Sequence, residues 1–299
     1  MTDEVWMIVL LLLAAVVVGV SYAFQAAARR RCFAIRREGV RVNCLLKQVL
    51  QDMQQHRGMA NAYLNGDAAF AARLKQKQAE IERGLHGLDA QRSRGLMTPP
   101  RWDRIRDDWR ALHETVLALT VEDSFQRHSD LIRVILYLMG DVAERSQLGD
   151  GCAADTALVR ALWTQIPLVA EELGQARGIG AGVAAQGHCS GVARIKLRFL
   201  EGRIGEIMDG VSRGLAQAGL PPSQAAPLTQ AWTSAQQVFR DFLSVLDTQL
   251  INVERPRIDA AHFFSTATQA VDAAFHVFGV ASDALEDVTV ATARTRRAV

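Results

Sequence analysis

The stretch QQHRGMANAYLNGD at residues 54–67 and the stretch GQARGIGAGVAAQG at residues 174–187 each place an Arg-Gly pair inside an apolar helical pattern. The two arginines are Arg57 and Arg177. A guanidinium that leaves water needs a partner for its charge. The surrounding glycines and alanines bring helices close together or leave room for a ligand, although each interior glycine costs about 1 kcal/mol of helix propensity. The two stretches therefore predict helices whose arginines lie along the buried face or its edge, beside close helix contacts or space for a ligand.

The rest of the chain is also predicted to be helical. From Val42 onward, apolar residues recur with helical spacing at positions 42, 46, 49, 53, 60 and 64. No segment shows the sustained alternation of a strand. Breaks such as Asn65-Gly66-Asp67, Gly149-Asp150-Gly151 and Arg255-Pro256 separate the helices. We predict eight helices after the N-terminal segment, at residues 40–65, 68–94, 101–119, 123–148, 154–186, 189–218, 223–251 and 257–291.

The eight helices form two sets of four, and the sequence pattern of the first set recurs in the second. When the sequence is aligned with itself at a shift of 120 residues, the apolar positions before Arg57 coincide with those before Arg177. Pro-Pro pairs recur at 99–100 and 221–222, and Trp109 and Trp232 follow them. In the fourth helices, Phe125 and Tyr137 are matched with Phe263 and Phe275. Because four amphipathic helices close one core, the sequence predicts an all-α fold of two tandem four-helix bundles formed by a duplicated unit.

The N-terminal segment Val5–Phe24 contains 20 residues without a charge, which is long enough to cross a bilayer as a helix. A cleaved signal peptide is the alternative, but such peptides begin with basic residues, whereas Asp3 and Glu4 come first here. Six arginines follow the segment: Arg29, Arg30, Arg31, Arg36, Arg37 and Arg41. By the positive-inside rule we expect a single-pass protein of the bacterial inner membrane, with the helical part in the cytoplasm.

The predicted domain organisation follows from these segments. It comprises a membrane anchor at 1–28, a basic juxtamembrane segment at 29–41, a first four-helix unit at 42–150, a second unit at 151–292 and a basic tail at 293–299. The tail includes Arg294, Arg296 and Arg297.

The composition excludes several classes of protein. The net charge of the 299 residues is only +2, and the basic segment lies where anionic headgroups would be, so we expect no nucleic-acid partner. The four cysteines form no Cys-x-x-Cys pair, and no two histidines are spaced to hold a metal. His188-Cys189-Ser190 fits a helix start capped by Ser190 as well as it fits a nucleophile. We predict no enzyme activity, no metal and no cofactor.

The partner of Arg57 is left open by the sequence. One alternative is an arginine at the edge of the core, whose methylenes pack while its head reaches water. If the head is buried, no acidic residue at i±3 or i±4 can neutralise it. The partner is then an acid from another helix or a small anion from solution.

The segment VLQDMQQHRGMANAYLNGD at 49–67 resembles the first-helix motif of the NIT domain, a nitrate- and nitrite-sensing module of bacterial receptors and transcription antiterminators. The matching residues are Gln54 or Gln55, Arg57, Gly58, Ala60 and Tyr63-Leu64. HFFSTATQAVDAAF at 262–275 is similar to the late aromatic-x-x-x-Thr helix of that family. Many members carry Glu before the arginine, whereas this chain has His56 and Ala176.

The resemblance covers roughly residues 40–290 and implies two helical bundles that bind nitrate or nitrite through arginines. Nitrate is planar, and the guanidinium fork offers parallel donors in its plane, which lysine does not. The candidate ligand residues are Arg57, then Arg177, then Arg240 in the segment VFRDFL. Since no kinase, methyl-accepting or RNA-binding module follows, we expect a sensor that signals to a separate protein, with a homodimer left open. The alternative is an anchored helical scaffold that binds another ligand or none.

Overall fold

The structure of the protein, a computed structural model, describes residues 2–92, 95–146 and 156–295. Within these residues the chain consists of helices and their connections, so the predicted all-α fold is confirmed. The helices are α1 (Thr2–Leu64), α2 (Phe70–Asp89), α3 (Pro99–Thr115), α4 (Val121–Arg145), α5 (Thr156–Arg160), α6 (Ile166–Gln186), α7 (Gly191–Ala216), α8 (Pro222–Leu246) and α9 (Ala260–Thr295). The predicted break at 149–151, Cys152 and the last two arginines of the tail lie outside the described residues.

The helix α1 is longer than the sequence pattern predicted. We predicted that the first helix of the bundle begins at residue 40, but α1 continues without a break from Thr2 to Leu64. Residues 25–41 contain no proline and consist mostly of alanine and arginine, which are good helix formers. The only glycine among them, Gly39, is tolerated at a cost of about 1 kcal/mol. The side chains of residues 6–24 are exposed, and burial begins near Arg36.

Two other predicted helices contain a π-helical turn. The helix predicted at 154–186 consists of α5, a π-helical turn at Ala161–Gln165 and α6. The helix predicted at 223–251 consists of α8 and a π-helical turn at Asp247–Ile251. Ser190 caps α7 by accepting a hydrogen bond from the backbone N–H of Ala193, as the helix-start interpretation predicted.

The helices pack in two groups of four. In the first group α1 lies against α2 and α4, and α3 lies against α4. In the second group α6 and α9 form the largest contact, with α7 beside α6 and α8 beside α9. The two groups meet where α1 and α4 contact α6, and where α1 contacts α9. The end of α1 that carries Arg57 therefore lies beside the helix that carries Arg177.

The two groups share the packing that the sequence shift predicted. The matched apolar positions are almost fully buried in both: Val42, Leu46, Val49 and Met53 in α1, and Leu162, Ile166, Val169 and Leu173 in the second half. The tryptophan of each third helix donates to the second helix of its group, Trp109 to Glu82 at 2.6 Å and Trp232 to Ser212 at 3.0 Å. The division into domains at particular residues stays a prediction.

Candidate anion-binding site

The guanidinium of Arg57 is buried where the two bundles meet. Arg57 is 3% exposed, so it is not an edge residue that reaches water. Its Nη1 lies 2.5 Å from Oε1 of Glu171, and its Nη2 lies 3.1 Å from Oε2. Nη1 also donates to the hydroxyl of Ser129 at 2.9 Å. The partner of Arg57 is thus an acid from another helix, Glu171 on α6, in a bidentate ion pair.

The carboxylate of Glu171 is held by two further donors. The side-chain amide of Gln54 donates to Oε2 at 2.9 Å, and that of Gln175 donates to Oε1 at 2.8 Å. Gly174 provides the space, because a Cβ at that position would lie 3.1 Å from Nη2 of Arg57. A buried carboxylate with four hydrogen bonds is well satisfied, so this cluster links α1 firmly to α6.

Arg177, in the second half, has different surroundings from Arg57. It is 8% exposed, its Nη1 donates to the hydroxyl of Thr268 at 3.1 Å, and its guanidinium lies 4.9 Å from the ring centre of Phe264. In the described part of the chain, no carboxylate lies within ion-pair distance of Arg177. Burial, and then repulsion from Arg57, lower the pKa of Arg177 to about 10. This guanidinium is buried without a carboxylate in contact.

The two arginines have matching neighbours from the fourth helix of their own bundle. Arg57 lies 5.0 Å from the ring centre of Phe125 and donates to Ser129 four residues later. Arg177 lies over Phe264 and donates to Thr268, again four residues later. These contacts match Phe125 with Phe264, whereas the sequence comparison matched it with Phe263. Because Phe263 and Phe264 are adjacent, the sequence alone could not decide which of them corresponds to Phe125.

The small residues after the arginines have different environments. A Cβ at Gly178 would lie 2.8 Å from the ring of Phe125, and a Cβ at Gly180 would lie 2.3 Å from the ring of Phe263. These two glycines therefore allow close packing of α6 against α4 and α9. A Cβ at Gly58 or Gly182 would meet no atom within 4 Å, so no close approach explains those positions.

The two guanidinium groups share a single contacting carboxylate. Two buried guanidinium groups lie near enough for the charge of Arg57 to lower the pKa of Arg177. Only one carboxylate, that of Glu171, is in contact with either of them among the described residues. Asp272 is a more distant acid, and burial raises the pKa of its carboxyl. Arg177 is therefore the group with room for a contacting anion, while the more distant charges of Asp272 and Glu171 raise its pKa.

A pair of buried histidines lies next to the site. Nδ1 of His56 is 2.7 Å from Nε2 of His128, whose Nδ1 donates to the carbonyl of Ser124 at 2.6 Å. Since a carbonyl only accepts, Nε2 of His128 accepts and Nδ1 of His56 donates. Burial lowers the pKa of His56 to about 2 and that of His128 to about 4. Both histidines are neutral and link α1 to α4. His56 stands at the position that Ala176 has in the second half.

Arg240, the third candidate, lies apart from the other two. It is exposed on α8, and its Nη2 lies 3.5 Å from the side-chain oxygen of Gln237. Sequence reasoning missed Glu171, Ser129 and Phe264 as neighbours of the arginines. The shared Phe-x-x-x-Ser and Phe-x-x-x-Thr spacing could have indicated the last two, but nothing in the sequence pattern indicated Glu171.

Comparison with known proteins agrees with this architecture. The fold and the arginine cluster define a helical module with a buried positive site. A family model described as nitrate and nitrite sensing (NIT) matches residues 48–288, so the chain belongs to the NIT family. Its class of function is nitrate and nitrite sensing in signalling rather than catalysis.

One solved structure, that of the NasR transcription antiterminator, is similar in fold. Its TM-score is 0.68 at 19% sequence identity, over 93% of this chain and 75% of that chain. At this identity the likeness shows the fold alone. A search of curated proteins found no match.

Proposed function

We propose that the protein binds nitrate or nitrite between its two bundles, in contact with the guanidinium groups of Arg57 and Arg177. The observation that carries the proposal is the state of Arg177, which is buried and has no carboxylate in contact among the described residues. Leaving a buried charge without a counterion costs several kcal/mol. An anion at this point removes that cost.

The geometry favours a planar oxyanion. The Arg177 guanidinium lies over Phe264 and has one bond, from Nη1, to Thr268. The remaining N–H groups lie in the plane of the guanidinium and match the coplanar oxygens of nitrate or nitrite. Chloride is a single spherical acceptor and cannot place a separate oxygen on each N–H of the fork, and sulfate brings a second charge. The exposed Arg240 is no neighbour of this pair, and its role as a ligand residue stays a prediction.

Ligand-dependent stability of the full chain in detergent tests the proposal. With nitrate or nitrite at about 100 times the dissociation constant, the free energy of unfolding should rise by about 2.7 kcal/mol. This corresponds to a rise of several degrees in melting temperature. Equal concentrations of chloride and sulfate are the controls. If nitrate and nitrite stabilise no more than chloride, the scaffold alternative replaces the sensor.

We also propose that α1 anchors the protein in the membrane. Among the described residues α1 is the one helix long and apolar enough to cross a bilayer, on length and composition alone, and a signal sequence would pass the same test. The side chains of residues 6–24 are exposed, and arginines crowd their C-terminal side. With the positive side inside, the bundles would lie in the cytoplasm. A reporter fused after residue 299 should be active only in the cytoplasm, and alkaline phosphatase activity from that fusion would contradict this orientation.

The anchored sensor would report to a separate signalling protein, as a single chain or as a homodimer. We propose residues 42–150 and 151–292 as its two units, because most helix contacts lie within each group. Purification of the detergent-solubilised chain from its native membrane, with and without nitrate, tests for the partner. Light scattering of the same sample measures the number of copies.

A further inference from the structure

Glu171 presents to Arg57 the same kind of group that the proposed ligand would present. A carboxylate and a nitrate ion are both planar and spread one negative charge over coplanar oxygens. The Arg57 fork is filled by this carboxylate, with contacts of 2.5 and 3.1 Å. Both side chains are almost fully buried, at 3% and 4% exposed. An anion from solution can therefore use both donors of Arg57 only if Glu171 moves.

We propose that Glu171 is a built-in competitor that occupies Arg57 in the ligand-free protein and is displaced when nitrate or nitrite binds. This inference rests on the proposed function, because it assigns a second role to the same site. In this account Arg177 receives the anion, and Arg57 completes its coordination by exchanging one planar anion for another. Glu171 thus sets the ligand concentration at which the sensor responds.

The asymmetry of the duplicated unit supports this role. The shift of 120 residues that places Arg57 on Arg177 places Gln51 on Glu171. The first half therefore offers a neutral amide at the position where the second half offers a carboxylate. As a result only one of the two arginines has an internal anion. Two guanidinium groups share one contacting carboxylate, and Asp272 acts on Arg177 only from a longer distance, so Arg177 has room for one ligand in contact.

The position of Glu171 also connects binding to helix packing. It lies on α6, and its partners Arg57 and Gln54 lie on α1. A second bond of Arg57 reaches Ser129 on α4. When the carboxylate leaves the fork, the strongest polar link between the two bundles at this point is lost. A change in the α1–α6 contact on ligand binding is the expected consequence, and α1 continues from this site to the apolar segment.

The test is the nitrate affinity of the full chain in detergent, measured by calorimetry for the parent, Glu171→Gln and Glu172→Gln. The glutamine at 171 keeps the shape and the hydrogen-bonding capacity but removes the competing charge. Its nitrate affinity should rise at least tenfold, equivalent to about 1.4 kcal/mol. Glu172→Gln is the matched control, because it makes the same charge change one residue away, and no described contact joins Glu172 to either arginine. Its affinity should change by less than about threefold.

Each outcome has a defined meaning. Tighter binding by Glu171→Gln alone supports displacement, and this holds also if the parent binds too weakly to measure. Unchanged or weaker binding by Glu171→Gln, with nitrate bound by the parent, overturns displacement but leaves the proposed function standing. No nitrate binding by the parent or by either variant overturns both.

A second variant covers the case in which Glu171→Gln does not fold, which its melting curve would show. Glu171→Asp keeps the charge but withdraws the carboxylate by about 1.5 Å, the length of one carbon–carbon bond. Its weaker hold on Arg57 should raise the nitrate affinity by at least about threefold, equivalent to ~0.6 kcal/mol. An affinity equal to that of the parent would overturn displacement.

Discussion

The two halves of the molecule place an arginine at the same position of the same helical pattern but give it different surroundings. Both arginines lie over a phenylalanine and donate to a hydroxyl four residues later on the fourth helix. Arg57 in addition binds the carboxylate of Glu171, whereas Arg177 has no carboxylate in contact in the described part of the chain. The comparison teaches that a duplicated framework can pair one arginine with an internal carboxylate and leave the other without a contacting one.

The largest expected difference concerns stability without ligand. Arg57→Ala leaves Glu171 buried without its counterion, so the free energy of unfolding should fall by about 3–5 kcal/mol. Arg177→Ala removes a buried charge that has no contacting carboxylate, and loses only packing and one hydrogen bond. It should cost less than about 1.5 kcal/mol. Thermal or urea unfolding of both variants in nitrate-free buffer measures the difference.

A double variant separates the ion pair from simple loss of packing. Adding Glu171→Gln to Arg57→Ala removes the stranded charge and should restore part of the lost stability. If both alanine variants lose equal stability and the double variant restores none, the two arginines have equivalent roles and the comparison between the halves fails.

The second difference is sensitivity to acid, because only the first half carries the buried histidine pair. The folded-state pKa values of about 2 for His56 and about 4 for His128 lie below the ordinary value of 6.5. Between pH 6.5 and the folded-state pKa values, the unfolded chain binds more protons than the folded chain. The contribution of the neutral histidines to stability is therefore complete above pH 6.5 and is lost as the pH falls. From pH 6.5 to 5.5 the loss should be about 1 kcal/mol for each histidine, about 2 kcal/mol together.

His56→Ala sharpens this prediction, because it gives the first half the residue that the second half has at position 176. The variant should lose about half as much stability as the parent over the same pH range, measured as the change in melting temperature. An unchanged pH dependence would mean that the sensitivity arises elsewhere in the chain.

The smallest difference concerns the hydroxyl groups that accept from the two arginines. Ser129 is buried and Thr268 is partly exposed, so water can replace only the second. Ser129→Ala should therefore cost about 1.5–3 kcal/mol as a lost hydrogen bond to a charged group, and Thr268→Val less than about 1 kcal/mol. Urea unfolding checks both, and a larger cost at Thr268 would contradict the expectation that Arg57 is the more tightly held of the two arginines.

Much of this architecture follows from local sequence patterns. Helical spacing of apolar residues predicted the helices, because the apolar stripe of an amphipathic helix can be recognised within the sequence of that helix alone. The same spacing predicted that Arg57 and Arg177 lie along the buried faces or their edges, and both are buried. The predicted start of the first bundle helix at residue 40 was wrong, since a change in composition without proline does not end a helix.

What the sequence did not predict depends on contacts between distant segments. Glu171 is 114 residues from Arg57, and its role follows from the packing of α6 against α1. Phe125 matches Phe264 rather than Phe263 because of the direction in which each side chain points from its helix. Two neighbouring phenylalanines in the sequence do not reveal which of them faces the arginine. His56 stood out in sequence only as a departure from the family motif. Its partner His128 became apparent only when α4 was placed beside α1.

The central claim is that Arg177, together with Arg57, binds the anion through the planar guanidinium fork. Calorimetric titration of the full chain in detergent with nitrate, for the parent, Arg177→Lys and the Arg57→Lys, Arg177→Lys double variant, tests it most directly. Lysine keeps the charge but loses the fork, so Arg177→Lys should bind nitrate at least about tenfold more weakly while its stability stays close to that of the parent. Nitrate binding by the double variant as tight as that of the parent would contradict the claim.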